Sequence, residues 1–165
     1  MGGLFYFYSM EIERKYLVDI QRWENLSKPK PIKIVQGYLT TNPEKTIRVR
    51  IKGEKALMTI KGQVQGIARE EIEFEIPIDK AYELIHKFCG AVIEKNRYLI
   101  NHKGKTWEVD VFEGNNKGLV LAELELQTED ERFTLPDWVT QEVTHDFRYY
   151  NSYLSENPYS NWKNA

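Results

Sequence analysis

Along this chain charged and apolar side chains alternate in period two, stretch after stretch, which limits the fold to a sheet with two unlike faces. In MEIERKYLV (10–18) one face carries Glu11, Glu13 and Lys15, while Ile12, Tyr16 and Val18 share the other with Arg14. The same alternation sets apart Arg48 and Arg50; Thr59 and Lys61; Arg69, Glu71, Glu73 and Glu75; Lys95 and Arg97; Glu108 and Asp110; and Glu123 and Glu125. Between them lie Ile47, Val49, Ile51, Met58, Ile60, Ile72, Phe74, Ile76, Trp107, Val109, Val111, Leu124 and Leu126, a nearly continuous apolar face. Leu121 breaks the phase and falls on the charged face.

Eight strands are predicted, over 10–18, 32–40, 46–53, 55–62, 68–76, 91–102, 105–114 and 119–127. The short breaks at 52–55, 62–68 and 102–105 favour antiparallel hairpins. A short helix is expected over 19–28, before Pro29 and Pro31, and a longer one over 78–90. The second has Asp79 as N-cap, an apolar stripe of Ala81, Leu84, Ile85 and Phe88, and Gly90 as its stop. The stretch 135–143 reads as a Pro-started helical turn, and 146–154 as a short helix packing through Tyr149, Tyr150 and Leu154. The expected fold is mainly β (α+β): an eight-stranded antiparallel sheet closed as a barrel, with helices packed outside.

A chain of 165 residues fits one domain, placed at 10–165 with residues 1–9 as an N-terminal extension. MGGLFYFYS lacks the basic start of a signal peptide, its apolar run is too short for one, and Met10 is an alternative start. No stretch approaches the ~20 apolar residues of a membrane span, so the chain reads as soluble and cytoplasmic with no membrane partner. A net charge of −2 is too small a one-signed field to argue for a nucleic-acid partner. The single Cys89 excludes an intramolecular disulfide and a Cys-based zinc cluster; it reads as a small apolar side chain beside a helix end.

The charged face has two readings. It can face water, as half-solvated antiparallel strands commonly do. Solvent faces intersperse signs, however, whereas here cations pair as RVR and KNR and acids as EIE, EFE, EVD and ELE. Closed inward, the face puts roughly six cations and as many carboxylates into a lumen, where they cannot stay dry and unpaired. Arg and Lys suit a phosphate polyanion, and clustered carboxylates without His or Cys are hard ligands for Mg²⁺ or Mn²⁺. Together they describe a metal–polyphosphate site.

The order of E-x-E-x-K (Glu11, Glu13, Lys15), R-x-R (Arg48, Arg50), MTIKG (Lys61), REEIE (Arg69, Glu71, Glu73), EKNRY (Lys95, Arg97), EVDVFEG (Asp110) and LAELEL (Glu123, Glu125) resembles CYTH domains, the triphosphate tunnel metalloenzymes. The resemblance runs from residue 10 to about 154, and the tail is similar to that of short bacterial members, in which it closes one tunnel end. It implies an eight-stranded tunnel binding a small-molecule triphosphate and Mg²⁺ or Mn²⁺. By the resemblance, Glu11, Glu13, Glu123 and Glu125 hold metal, and Lys15, Arg48, Arg50, Lys61, Lys95 and Arg97 cradle phosphates. Glu71, Glu73, Asp110 and Lys95 form the catalytic set, in which Glu71 and Glu73 hold a second metal or orient the attacking water, with Asp110 helping. The expected reaction is metal-dependent hydrolysis of a small triphosphate, foremost inorganic tripolyphosphate. The alternatives are a class IV adenylyl cyclase, a thiamine triphosphatase and a non-catalytic polyphosphate- or nucleotide-binding module. Arg69 and Glu75, near strand ends, divide evenly between site and structural ion pair, and His86, His102 and His145 read as surface or capping residues. The glycine stretches lack phosphate-loop spacing, and no GxSxG elbow supports a covalent hydrolase.

Overall fold

The computed structural model describes residues 6–164. Its strands are β1 (Tyr6–Val18), β2 (Ile32–Thr40), β3 (Lys45–Lys52), β4 (Lys55–Gly62), β5 (Ala68–Ile76), β6 (Ile93–His102), β7 (Lys105–Phe112), β8 (Val120–Leu126) and β9 (Val139–Glu142). Its helices are α1 (Ile20–Asn25), α2 (Ile78–Phe88) and α3 (Asn151–Glu156), with 3₁₀ turns at Gly114–Asn116, Phe147–Tyr149 and Tyr159–Asn164. The strands follow the order β5-β4-β3-β2-β6-β7-β8-β1, and β1 pairs again with β5, closing a ring of eight with all pairs antiparallel. The expected barrel is therefore present. Among the described residues no helix is long and apolar enough to cross a membrane.

Register decides which face turns inward, because a slip of one residue would exchange the two faces of a strand. Opposite one another stand Lys61 and Glu71, Arg97 and Asp110, and Lys15 and Glu123, so inward charges meet opposite charges across the ladder. The apolar face turns outward and is covered. Trp23 of α1, Trp138 and Phe133 pack with Tyr16, Trp107, Val109 and Leu124 of the wall. Their rings meet edge to face at 5.6–6.0 Å, as between Tyr16 and Trp107, Trp23 and Trp138, and Trp107 and Phe133. Ala81 and Ile85 of α2 lie on Val49, Ile51 and Ala56.

At one end the inward face itself becomes apolar. Two residues beyond Lys95, Asp110, Glu123 and Lys15 along their strands, on the same side, come Ile93, Phe112, Leu121 and Leu17. These pack with Val143, Leu154, Tyr149, Tyr159 and Trp162, so the C-terminal segment plugs that end. Leu121, which breaks the charge pattern, is part of this seal.

Several expectations are corrected. The stretch read as a helical turn at 135–143 ends in strand β9, which pairs Val139 and Glu142 with Val18 and Tyr16. Beyond Ile12, where its pairing with β5 ends, β1 would present open backbone groups, and this long-range pairing outweighs the local helical start at Pro136. Strand β1 begins at Tyr6, ahead of residue 10, because Tyr6–Met10 pair with Phe74–Glu70; residues 1–5 of the proposed extension lie outside the described residues. Pro77, whose ring fixes φ, holds the N-cap of α2, and Asp79 sits in its first turn without a capping bond. Phe88 leaves the buried stripe at 67% exposure, because the chain turns inward one residue later at Cys89. The last predicted helix splits into the 3₁₀ turn Phe147–Tyr149 and α3.

Cys89 sits against Gly37 of β2: a Cβ there would lie 2.7 Å from Cys89 Cβ and 2.8 Å from its Sγ. The Sγ can rotate away, but the Cys89 Cβ is fixed to the backbone, so relief requires the chain itself to shift. Gly37→Ala is expected to lower stability by ~1–3 kcal/mol through overpacking, read as a lower thermal midpoint. An unchanged midpoint would mean that α2 docks without needing this contact.

Candidate active site in the lumen

The ring sorts the inward charges by strand. Consecutive strands β8, β1 and β5 bring in Glu123 and Glu125, Glu11 and Glu13, and Glu71 and Glu73. Across the lumen β3 and β6 bring in Arg48, Arg50, Lys52, Lys95 and Arg97, flanking β2 with its uncharged Gln36 and Tyr38. An acidic arc thus faces a cationic arc over a cavity of 240 Å³. Lys15 and Lys61 are set beside the acidic strands.

The ion pairs hold these groups in place. Lys61 Nζ lies 2.5 Å from Glu11 Oε2 and 3.3 Å from Glu71 Oε2. Arg48 Nη2 donates to Thr59 Oγ1 at 3.0 Å and lies 3.5 Å from Glu73 Oε2, to which Thr59 also donates at 2.7 Å. Lys15 Nζ is 3.3 Å from Glu123 Oε1, and Arg97 touches Glu108 while its Nη2 lies 3.8 Å from Glu123 Oε2. Asp110 accepts from Arg97 Nε and Nη2 at 2.7 and 2.8 Å and from Lys95 Nζ at 2.6 Å. Asp110 is fully buried and does not line the cavity; it backs the two cations that do.

Titration follows from these partners. Burial would raise the carboxyls of Asp110 and Glu123, but Arg97 and Lys95 hold the first far below its ordinary value, and Lys15 and Arg97 hold the second near about 2. Among the described residues no cation stands within ion-pair distance of Glu13; burial, then the nearby Glu123 and Glu11, push it up to about 7 against the weaker pull of Lys15 and Lys61. Burial also pulls Lys95 down to about 7, with Arg97 and Arg50 repelling its charge. Among the described residues, no group of three acidic, His or Cys side chains is arranged to hold a metal ion by itself. A magnesium-type ion needs less than that, since it is typically held by one or two carboxylates completed by water and substrate phosphates. An acid crowded by Glu11 and Glu123 and not ion-paired among the described residues, in an all-oxygen donor set, fits such an ion.

The CYTH domain profile matches residues 9–153 of this sequence. The chain belongs to the CYTH domain family. Over 154 residues it is 46% identical to an inorganic triphosphatase of Acetivibrio thermocellus, covering 93% of this chain and 97% of that protein. An inorganic triphosphatase of Nitrosomonas europaea is 36% identical over 149 residues, 88% of this chain and 96% of that protein. The crystal structure of the inorganic triphosphatase NE1496 superposes with a TM-score of 0.62 at 34% identity, covering 88% of this chain and 93% of that one.

Within this CYTH domain the cavity is lined by Glu11, Glu13, Lys15, Arg48, Arg50, Lys61, Glu71, Glu73, Lys95, Arg97, Glu123 and Glu125. Glu125 stands at an exposed position and Arg69 joins the lining, whereas Glu75 is exposed and lies outside it. His86, His102 and His145 lie outside it too. Sequence reasoning missed Tyr38, Lys52, Thr144, Asn151 and Ser152 in the lining, and the fully buried Gln36 behind it. Gln36 and Tyr38 are spaced in period two and were legible as one face, but they carry no charge to mark that face as inward.

Proposed function

We propose that this CYTH domain hydrolyses a small linear triphosphate in its lumen, inorganic tripolyphosphate foremost, with Mg²⁺ or Mn²⁺ as its metal. The observation that carries the reading is the segregation of the lumen: carboxylates on β8, β1 and β5 face cations on β3 and β6. The two relatives named inorganic triphosphatase support it. The volume supports it too, since 240 Å³ lies below the ~300–1,000 Å³ typical of pockets for larger organic ligands.

Arg48, Arg50, Lys61, Lys95 and Arg97, with Lys15, take the phosphate oxygens, as fixed cations that need no rearrangement when charge develops. Glu11, Glu13 and Glu123, with Glu125 beside them, would hold the metal, which when bound supplies Lewis-acid neutralisation of phosphoryl charge. Glu71 and Glu73 project toward the lumen two apart on β5 and orient the attacking water. Burial and Glu11 raise the Glu71 carboxyl, which suits it to take the water proton. Water oxygen bonds to the terminal phosphorus, the bridging P–O bond breaks, and pyrophosphate leaves with its electron pair. Asp110 never reaches substrate; it fixes Lys95 and Arg97 from behind.

The test is incubation with Mg²⁺ or Mn²⁺ and tripolyphosphate, ATP or thiamine triphosphate, resolving orthophosphate, pyrophosphate and cyclic AMP. Expected are equal orthophosphate and pyrophosphate, fastest from tripolyphosphate. Cyclic AMP as the main product from ATP would establish the cyclase instead, and binding without turnover would leave a binding module.

Metal-free protein gives a second readout. The folded Glu13 carboxyl titrates near about 7 against an ordinary 4.5, so the folded state binds this proton more tightly than the unfolded one. Its contribution is therefore present below pH 4.5 and lost as pH rises toward 7. Glu13→Gln lacks that loss, so its thermal midpoint should rise relative to the unmodified chain across this window, and its gain on adding Mn²⁺ should shrink. A variant less stable than the parent throughout would show that attraction to Lys15 and Lys61 outweighs burial and the neighbouring acids at Glu13.

A further inference from the structure

Lys95 and Arg50 are cavity-lining cations on strands separated by β2. Lys95 has a carboxylate behind it in Asp110, but Arg50 has no acid within ion-pair distance among the described residues and faces Arg48 and Arg97. Its position is set instead by an amide: Arg50 Nε donates to Gln36 Oε1 at 2.8 Å. Gln36 is fully buried, and its Nε2 donates to Tyr38 Oη at 3.1 Å and to Asn151 Oδ1 at 3.4 Å. That same Asn151 oxygen accepts from Lys95 Nζ at 2.9 Å. Asn151 is the first residue of α3, in the plug. A continuous run of hydrogen bonds therefore joins a cation of β3, the uncharged strand β2, the plug and a cation of β6.

The chemistry of the connecting groups matters. A carboxylate at 36 or 151 would fix the same cations but offset their charge and compete with a phosphate for them. An amide oxygen fixes direction and leaves the positive charge available, while the amide nitrogen satisfies the next acceptor along. We propose that Gln36 and Asn151 are positioning residues, an uncharged amide bridge that aims Arg50 and Lys95 at the substrate and makes the C-terminal plug a working part of the phosphate site. The inference rests on the triphosphatase reading of the lumen.

Four variants test it: Asn151→Leu, Asn151→Asp, Gln36→Leu and the double Gln36→Leu/Asn151→Leu, each measured for tripolyphosphate affinity by calorimetry, for KM and kcat, and for thermal midpoint. Losing an acceptor for a charged donor should weaken affinity and raise KM about tenfold in each Leu variant, with kcat changed less. Both residues serve one bridge, so the double variant should cost little more than the worse single one. Asn151→Asp keeps the size and the acceptor, so it should hold the thermal midpoint near that of the parent and still weaken tripolyphosphate. Tripolyphosphate affinity at the parental level in Asn151→Asp, or losses that multiply in the double variant, would overturn the bridge. Should a Leu variant not fold, Asn151→Asp and Gln36→Glu carry the same comparison of affinity against midpoint. A parent chain that binds tripolyphosphate but releases no orthophosphate would sink the hydrolase reading, and the calorimetric affinities would still decide the bridge.

Discussion

Replacing Glu11 and Glu13 together with Gln is expected to lower tripolyphosphate turnover by about 10²–10⁴-fold while the triphosphate still binds. The two side chains leave the same face of β1: Glu13 stands opposite Glu125 of β8, and Glu11, opposite Arg69 of β5, lies near enough to Glu123 to feel its charge. Gln preserves volume and hydrogen bonding but removes both charges, and with them the means to hold a divalent cation there. Loss of several kcal/mol of charge neutralisation in the transition state gives the stated range. The cationic arc is untouched, and Lys61, released from its 2.5 Å pair with Glu11, becomes a freer phosphate partner. Affinity for tripolyphosphate in metal-free buffer should therefore be kept or improved. Phosphate release and calorimetry on one preparation, over a range of Mn²⁺, check both halves. Metal-dependent turnover at the parental rate would show that these carboxylates only serve ion pairs.

The second large effect is on stability and falls on Asp110. Its side chain takes three charge-assisted hydrogen bonds from two buried cations. Asp110→Ala leaves Lys95 and Arg97 without their main acid partner in a closed wall, a change that typically costs ~3–5 kcal/mol. Asp110→Asn should cost less, since the amide oxygen still accepts one bond. Because the missing negative charge lies against the phosphate cradle, tripolyphosphate should raise the melting temperature of Asp110→Asn more than that of the parent. Calorimetric melting with and without the anion measures this. Equal anion-induced shifts would mean that Lys95 and Arg97 do not face the substrate.

The inward face of each ring strand is legible wherever charge alternates with aliphatic residues, as in RVR, EIEFE and ELEL. Closure follows from the clustering of signs, since acids spaced two apart on β8, β1 and β5 are tolerable only if cations or a metal stand near them. Three things were not legible. The inward Gln36 and Tyr38 of β2 lack charge, so nothing local distinguishes them from a solvent face. The stretch 139–142 pairs as a strand because β1 continues past β5, a need that exists only after the barrel has closed. Asn151 lies on a short helix whose approach to Lys95 depends on packing between Leu154 and the apolar end of the lumen. Leu121 did carry a readable signal: an apolar residue in a charged phase marks where the lumen stops.

The two-arc arrangement is tested most directly by crystals of the chain grown with tripolyphosphate and Mn²⁺, with the metal located from its anomalous scattering. A manganese peak is expected inside the barrel against Glu11, Glu13 and Glu123, with the phosphate chain between it and Arg48, Arg50, Lys95 and Arg97. Manganese and phosphate bound on the outer wall, or phosphates seated with no metal beside the β8–β1–β5 carboxylates, would contradict it.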